Sequence, residues 1–201
     1  MRLKLVPLAA VLVACHCVDA PAGAANVSQP VSSPPAATSA EKQRPRNVLI
    51  VGDSEACAVG AVASDVANEQ VPPDNVNVSC KAGSTVQYWS GLHMKHALSL
   101  YPASDVVLVF LGTNHYTSRS APDVKPLLSE LAARRLPCVW VGNVAVHGKS
   151  WPINALLKAA VSPPCSYFDS ERVKLQDGVH PDRTNAKLWL RQVWAAIPRK
   201  A

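Results

Sequence analysis

Three short polar clusters in this chain hold residue types suited to nucleophilic catalysis. The first, Gly52-Asp53-Ser54, directly follows the apolar run Asn47–Val51. A serine on a strand-to-helix turn holds its hydroxyl outward, and its own N–H lies at a helix start, where anionic charge is stabilised. The second, Gly112-Thr113-Asn114, follows the run Asp105–Leu111, and an asparagine amide there can donate to a developing oxyanion. The third is Asp177-Gly178-Val179-His180-Pro181, ahead of the last amphipathic segment. An Asp three residues before a His can hold one imidazole nitrogen and leave the other as a base toward a serine. Each cluster alone has a plainer reading, as a helix cap, a polar turn and a loop with a surface histidine. Together they supply nucleophile, oxyanion donor, base and orienter.

The elements that must position these groups follow from hydrophobic pattern. Strands are expected over Asn47–Val51, Asn75–Ser79, Asp105–Leu111, Leu136–Val141 and Ser166–Phe168, mostly as unbroken apolar runs of the kind that a sheet covered on both faces requires. Helices are expected over Cys57–Asn68, Ser90–Leu98, Asp123–Arg135, Ile153–Ala160 and Lys187–Ile197. Alternation of the two predicts an α/β fold, a three-layer α/β/α sandwich around a central parallel sheet of about five strands. In such sheets ligands sit beyond the carboxyl ends of the strands, where the first two clusters fall.

The clusters resemble the conserved blocks of the SGNH, or GDSL-like, hydrolase superfamily. Gly52-Asp53-Ser54 is similar to the first block, with Ser54 in the nucleophile position, and Gly83 of Lys81-Ala82-Gly83 to the second. Gly112-Thr113-Asn114 resembles the third block, and Asp177 with His180 the last, including the proline that follows. The resemblance runs from about Asn47 to Pro181 and implies the flavodoxin-like fold of that superfamily. It also implies a Ser54–His180–Asp177 esterase mechanism without a cofactor, its oxyanion held by the N–H groups of Ser54 and Gly83 and the amide of Asn114. Two positions depart from the usual pattern. Glu55 stands after the serine, where an aliphatic residue is usual, and is expected to face solvent or cap the helix. His115 replaces a frequent Asp, and either contacts substrate or completes a polar loop.

The rest of the chain bounds the setting. Arg2 and Lys4 precede a short apolar run, Val6–Ala14, far below the ~20 residues that a membrane span needs. Residues 1–20 therefore read as a signal peptide, and residues 21–45, rich in Ala, Pro and Ser, as a flexible linker ahead of a domain over 46–201. Leu12-Val13-Ala14-Cys15 resembles a bacterial lipobox, which would make Cys15 a lipid anchor and the membrane a partner through that anchor alone. Ordinary secretion is the alternative. Both place the domain outside the cytoplasm, in the cell envelope or beyond.

Cys57, Cys80, Cys138 and Cys165 are an even set suited to an oxidising compartment. Predicted topology favours Cys57 with Cys80 and Cys138 with Cys165, among three connectivities. The domain carries 16 basic and 12 acidic residues, with Arg134-Arg135 and Arg199-Lys200 the adjacent basic pairs, so no basic stripe suggests nucleic acid. His93 and His96 have ligand-like spacing, but no cysteine or carboxylate nearby completes a metal set.

Trp89, Trp140, Trp151, Tyr88 and Tyr116 fall near predicted strand ends, where aromatics could stack on a sugar or line an acyl slot. Trp89, Tyr116 and His115 are the candidate substrate contacts. With no long apolar lid segment, the expected substrate is a short acyl ester, an acetyl group on a carbohydrate or cell-wall glycan, to be hydrolysed or transferred. The alternatives are a lysophospholipase or thioesterase for longer chains, and an inactive envelope binding lipoprotein.

Overall fold

A computed structural model describes residues 44–115, 120–144, 151–170, 173 and 180–198. The expected signal peptide, Cys15 and all but the last two residues of the expected linker lie outside these. Five strands, β1 (Asn47–Gly52), β2 (Asn75–Cys80), β3 (Val106–Phe110), β4 (Cys138–Val141) and β5 (Cys165–Phe168), form one sheet. Their order is β2-β1-β3-β4-β5 and every pairing is parallel. This is the flavodoxin-like order, whose chain reverses direction across the sheet between β1 and β3. The crevice at that reversal lies beyond Gly52 and Phe110, which are paired in register.

Burial on both faces explains the unbroken apolar runs. Val48 and Ile50 face one layer and Leu49 and Val51 the other, and all four are fully buried. The first layer is α1 (Ser54–Gly60), α2 (Ala63–Ala67) and α7 (Arg183–Ala195), which contribute Ala56, Val59, Val66, Trp189 and Trp194. The second holds α3 (Val86–Tyr88), α4 (Met94–Leu100), α5 (Lys125–Ala133) and α6 (Pro152–Ala160), with Met94, Leu98, Leu127, Leu131 and Leu157 buried. The two disulfides, Cys57–Cys80 and Cys138–Cys165, are the expected pairs. Among the described residues no helix is long and apolar enough to cross a membrane.

Three helices depart from expectation. The single helix expected over Cys57–Asn68 is two, because the chain leaves helical geometry at Val62 (φ −121°, ψ 2°), whose side chain turns into the core. The helix expected over Ser90–Leu98 begins at Val86 and is kinked within a π turn, Trp89–His93, where Gly91 adopts φ −124° and ψ −129°. The closing helix starts at Arg183 rather than Lys187. Its first turn has no apolar periodicity, but the Asp182 carboxylate accepts the Asn185 N–H at 2.7 Å and caps it.

Candidate active site

β1 ends at Gly52, and the chain must turn there against the end of β3. Gly52 has φ +151°, and a Cβ at this position would overlap the Phe110 carbonyl, so only glycine fits. Asp53 is the N-cap of α1, its Oδ1 accepting the Glu55 N–H at 3.0 Å. Ser54 is thus the first residue of the helix and is half-buried. His180, ahead of α7, is also half-buried, and its Nε2 stands 3.3 Å from Ser54 Oγ. That separation allows proton transfer between a serine nucleophile and an imidazole base.

Two further turns close on the same point. The turn from Lys81 to Ser84 after β2 hangs from the Gly52 carbonyl, which accepts the Lys81 N–H at 2.9 Å and the Ser84 hydroxyl at 3.4 Å. Gly83, at φ +74°, occupies the third place of this turn, where positive φ favours glycine, and a Cβ there would meet nothing within 4 Å. After β3, Thr113–His115 form a single 3₁₀ turn that leaves Asn114 exposed. The Asn114 amide donates to the Ser84 carbonyl at 2.8 Å and more weakly to Asp53 Oδ2 at 3.4 Å. One amide hydrogen is therefore held by the second turn, and the other lies over the carboxyl beside the serine.

Below this surface lies a buried acidic pair. Burial pushes the Asp53 carboxyl from 3.8 up to about 7, opposed by the N–H groups of Glu55, Gly112 and Thr113 and by the charge of His180. Glu55 is pushed well above the usual carboxylate range, first by burial and then by the negative charge of Asp53. The expectation for Glu55 is corrected: it does not face solvent, being 1% exposed, and Asp53 provides the cap. An acid in the first turn suits the helix dipole, but α1 packs that turn under the loops that follow β3 and β4.

The aromatic candidates are also revised. Trp89 is 3% exposed and its Nε1 donates to Ser84 Oγ at 2.9 Å, so it supports the second turn from beneath and cannot touch substrate. Trp140 is fully buried and donates to the Leu111 carbonyl at 3.1 Å. Tyr88 is half-buried, stacked on His93 with ring centroids 3.6 Å apart, and Lys81 Nζ lies 4.5 Å above its ring. His115 accepts the Val86 N–H on Nε2 at 3.1 Å, which joins the third turn to the start of α3, and burial lowers its pKa. Asp177 and Tyr116 lie outside the described residues. Among the described residues, no three His, Cys, Asp or Glu side chains converge as a metal site would require.

Ser84 was not among the residues that sequence reasoning singled out. It bonds to Gly52, Trp89 and Asn114 at once, and its only signal is a place one residue beyond Gly83.

No protein-family model matches the chain, and a search of curated proteins finds no relative. Solved structures do share its fold. It superimposes on the acetyl xylan esterase AlAXEase with a TM-score of 0.60 at 14% identity, over 76% of this chain and 100% of that one. Against Axe2, an acetylxylan esterase from Geobacillus stearothermophilus, the TM-score is 0.57 at 14% identity, over 77% and 94%. Against the psychrotrophic esterase EstA from Pseudoalteromonas sp., it is 0.57 at 14% identity, over 75% and 95%. At such identity the likeness is one of fold.

Proposed function

We propose that the protein is a serine esterase of the SGNH type that cleaves, or transfers, a short acyl group, with acetyl on a carbohydrate or cell-wall glycan as its substrate. The observation that carries this reading is the placement of Ser54 Oγ 3.3 Å from His180 Nε2 at the sheet's switch point, beside the Asn114 amide. Ser54 attacks the ester carbonyl while His180 takes its proton, and Asp177 orients the imidazole. The tetrahedral oxyanion is received by the N–H groups of Ser54 and Gly83 and by Asn114. His180 then protonates the leaving alcohol, and water, or an acceptor hydroxyl, releases the acyl group from Ser54.

The acetyl and carbohydrate parts of the proposal are supported by the structural neighbours, two of which are acetylxylan esterases. The two disulfides fit an oxidising compartment and so a secreted or envelope-bound domain, carried there by the leader over residues 1–20 and, if Cys15 is lipidated, held at the membrane.

The test is hydrolysis of acetyl, butyryl, octanoyl and palmitoyl p-nitrophenyl esters by residues 44–201 with disulfides intact, beside Ser54→Ala. Turnover of the acetyl ester that vanishes in Ser54→Ala is expected. A maximum at octanoyl or longer would replace this reading with a lysophospholipase or thioesterase. Absence of any Ser54-dependent turnover would leave a binding protein.

A further inference from the structure

Glu55 is an acid that the mechanism above does not use, and its surroundings are specific. It is 1% exposed on the first turn of α1, next to Ser54. Its carboxyl is hydrogen-bonded to the Thr113 hydroxyl, one residue before Asn114, and accepts the Val144 backbone N–H beyond β4. Thr113 Oγ1 in turn donates to Asn143 Oδ1 at 3.4 Å. The Asn143 backbone is fixed by Asn154 of α6, which accepts its N–H at 2.9 Å and donates to its carbonyl at 2.8 Å. One side chain therefore joins the nucleophile turn, the Asn114 turn and the segment after β4.

Thr113 has one hydroxyl proton and two neighbours that can accept it, Glu55 and Asn143 Oδ1. A neutral acid suits Glu55 Oε2, which has no hydrogen-bond partner among the described residues: an unpaired anionic oxygen in that place would cost far more than a bare carbonyl. The nearby Asp53 carboxyl, held by three backbone N–H groups, is the better seat for the pair's negative charge.

We propose that Glu55 is a positioning residue of the esterase site: as a buried carboxylic acid it clamps the Thr113–Asn114 turn and the Asn143–Val144 segment to the helix bearing Ser54, and so aims the Asn114 amide and the Ser54 N–H at one oxyanion. This rests on the esterase reading for its catalytic consequence but not for the clamp itself. The clamp departs from the aliphatic residue expected after the serine, which would leave Thr113 and Val144 to other partners.

The experiment compares wild type, Glu55→Gln and Glu55→Leu, with Ser54→Ala as control, by ester kinetics, thermal melting and amide hydrogen exchange. Gln keeps a neutral donor and acceptor and is expected to hold kcat within about threefold. Leu removes both and is expected to lower kcat about ten- to a hundredfold with KM little changed. Amide exchange in Glu55→Leu should quicken at Asn114 and Val144. Its melting temperature should fall by a few degrees, because the buried Val144 N–H loses its acceptor, so kcat is read at a temperature where every variant is fully folded.

A purely structural role would instead make rate follow stability. Undiminished kcat in Glu55→Leu, unaltered exchange at Asn114 and Val144, or equal loss in Glu55→Gln would each overturn the proposal. If exchange quickens but no variant shows Ser54-dependent turnover, the esterase reading fails and the clamp stands.

Discussion

His180 Nε2 meets Ser54 Oγ at 3.3 Å although 126 positions separate the two residues in the chain. One lies on the turn out of the first strand, and the other precedes the last helix. What brings them together is the packing of α1 and α7 on the same face of the sheet, through Ala56, Val59, Ala186 and Trp189. The pair is thus a product of the whole first layer, and its geometry depends on the core beneath it.

Asn114→Ala should lower kcat by about a hundredfold and change KM little, since an oxyanion donor acts mainly in the transition state. The variant also leaves the carbonyl of buried Ser84 without the Asn114 donor it holds at 2.8 Å, which costs some stability as well. Steady-state kinetics on the acetyl ester, read beside a melting curve, separates the two effects.

Stability should depend on pH through the buried acids. Both Asp53 and Glu55 are held above their ordinary range, so the folded state prefers their protonated forms. The Asp53 contribution is full below its ordinary pKa of 3.8 and is lost as pH rises through about 7. The melting temperature of the wild type should therefore fall between about pH 5 and pH 8 relative to that of Asp53→Asn, whose side chain does not titrate. A constant difference between the two proteins across that range would contradict the raised pKa of Asp53.

At the opposite end of the sheet, Asp74 should matter to folding and not to rate. Its carboxylate pairs with Arg46 at 2.6 Å and accepts the Trp194 Nε1–H at 2.9 Å, and its side chain is 3% exposed. Asp74→Ala leaves the Arg46 guanidinium partly buried without its partner, at an expected cost of about 3–5 kcal/mol in denaturant unfolding. The kcat of the folded fraction should be unchanged, as this cluster lies at the amino ends of β1 and β2, away from Ser54.

Removing the Cys57–Cys80 bridge should affect both. It ties α1 to the end of β2 and closes a loop with a sequence separation of 23. The Cys57→Ser/Cys80→Ser double variant is expected to lose about 3 kcal/mol of stability. Its kcat should fall as well at a temperature where it remains folded, because Ser54 and the Gly83 turn then lose their covalent link and keep the hydrogen bonds to Gly52 and the Asn114 bridge. Cys138→Ser/Cys165→Ser, which joins the far strands β4 and β5, should lose stability with little change in kcat.

Much of this molecule can be read from its sequence because two-sided burial leaves a plain mark. Val106–Phe110 and Cys138–Val141 are buried at every position, and their apolar runs announce it. The disulfide partners follow once adjacent strands are known. The polar clusters are legible by residue type, since Ser54 and Asn114 directly follow strands and His180 precedes the last helix, a set with few purely structural reasons to occur together. What escapes is set by tertiary contact. Nothing local distinguishes Glu55 in a first helical turn from a solvated acid, because its burial depends on loops 58 and 89 residues further on, at Thr113 and Val144. Trp89 looks like a loop aromatic until its burial and its bond to Ser84 are known, and Ser84 acquires its role only through Trp89 and Asn114.

The nucleophile itself is best tested by covalent trapping. A small fluorophosphonate, whose phosphorus is attacked by an activated serine with loss of fluoride, should add once per chain. Peptide mass mapping should place the adduct on Ser54, and His180→Ala should slow its formation at least about a hundredfold, because the hydroxyl then lacks its base. An adduct on another residue, or none in a protein that still cleaves the acetyl ester, would contradict the assignment of Ser54 as the attacking group.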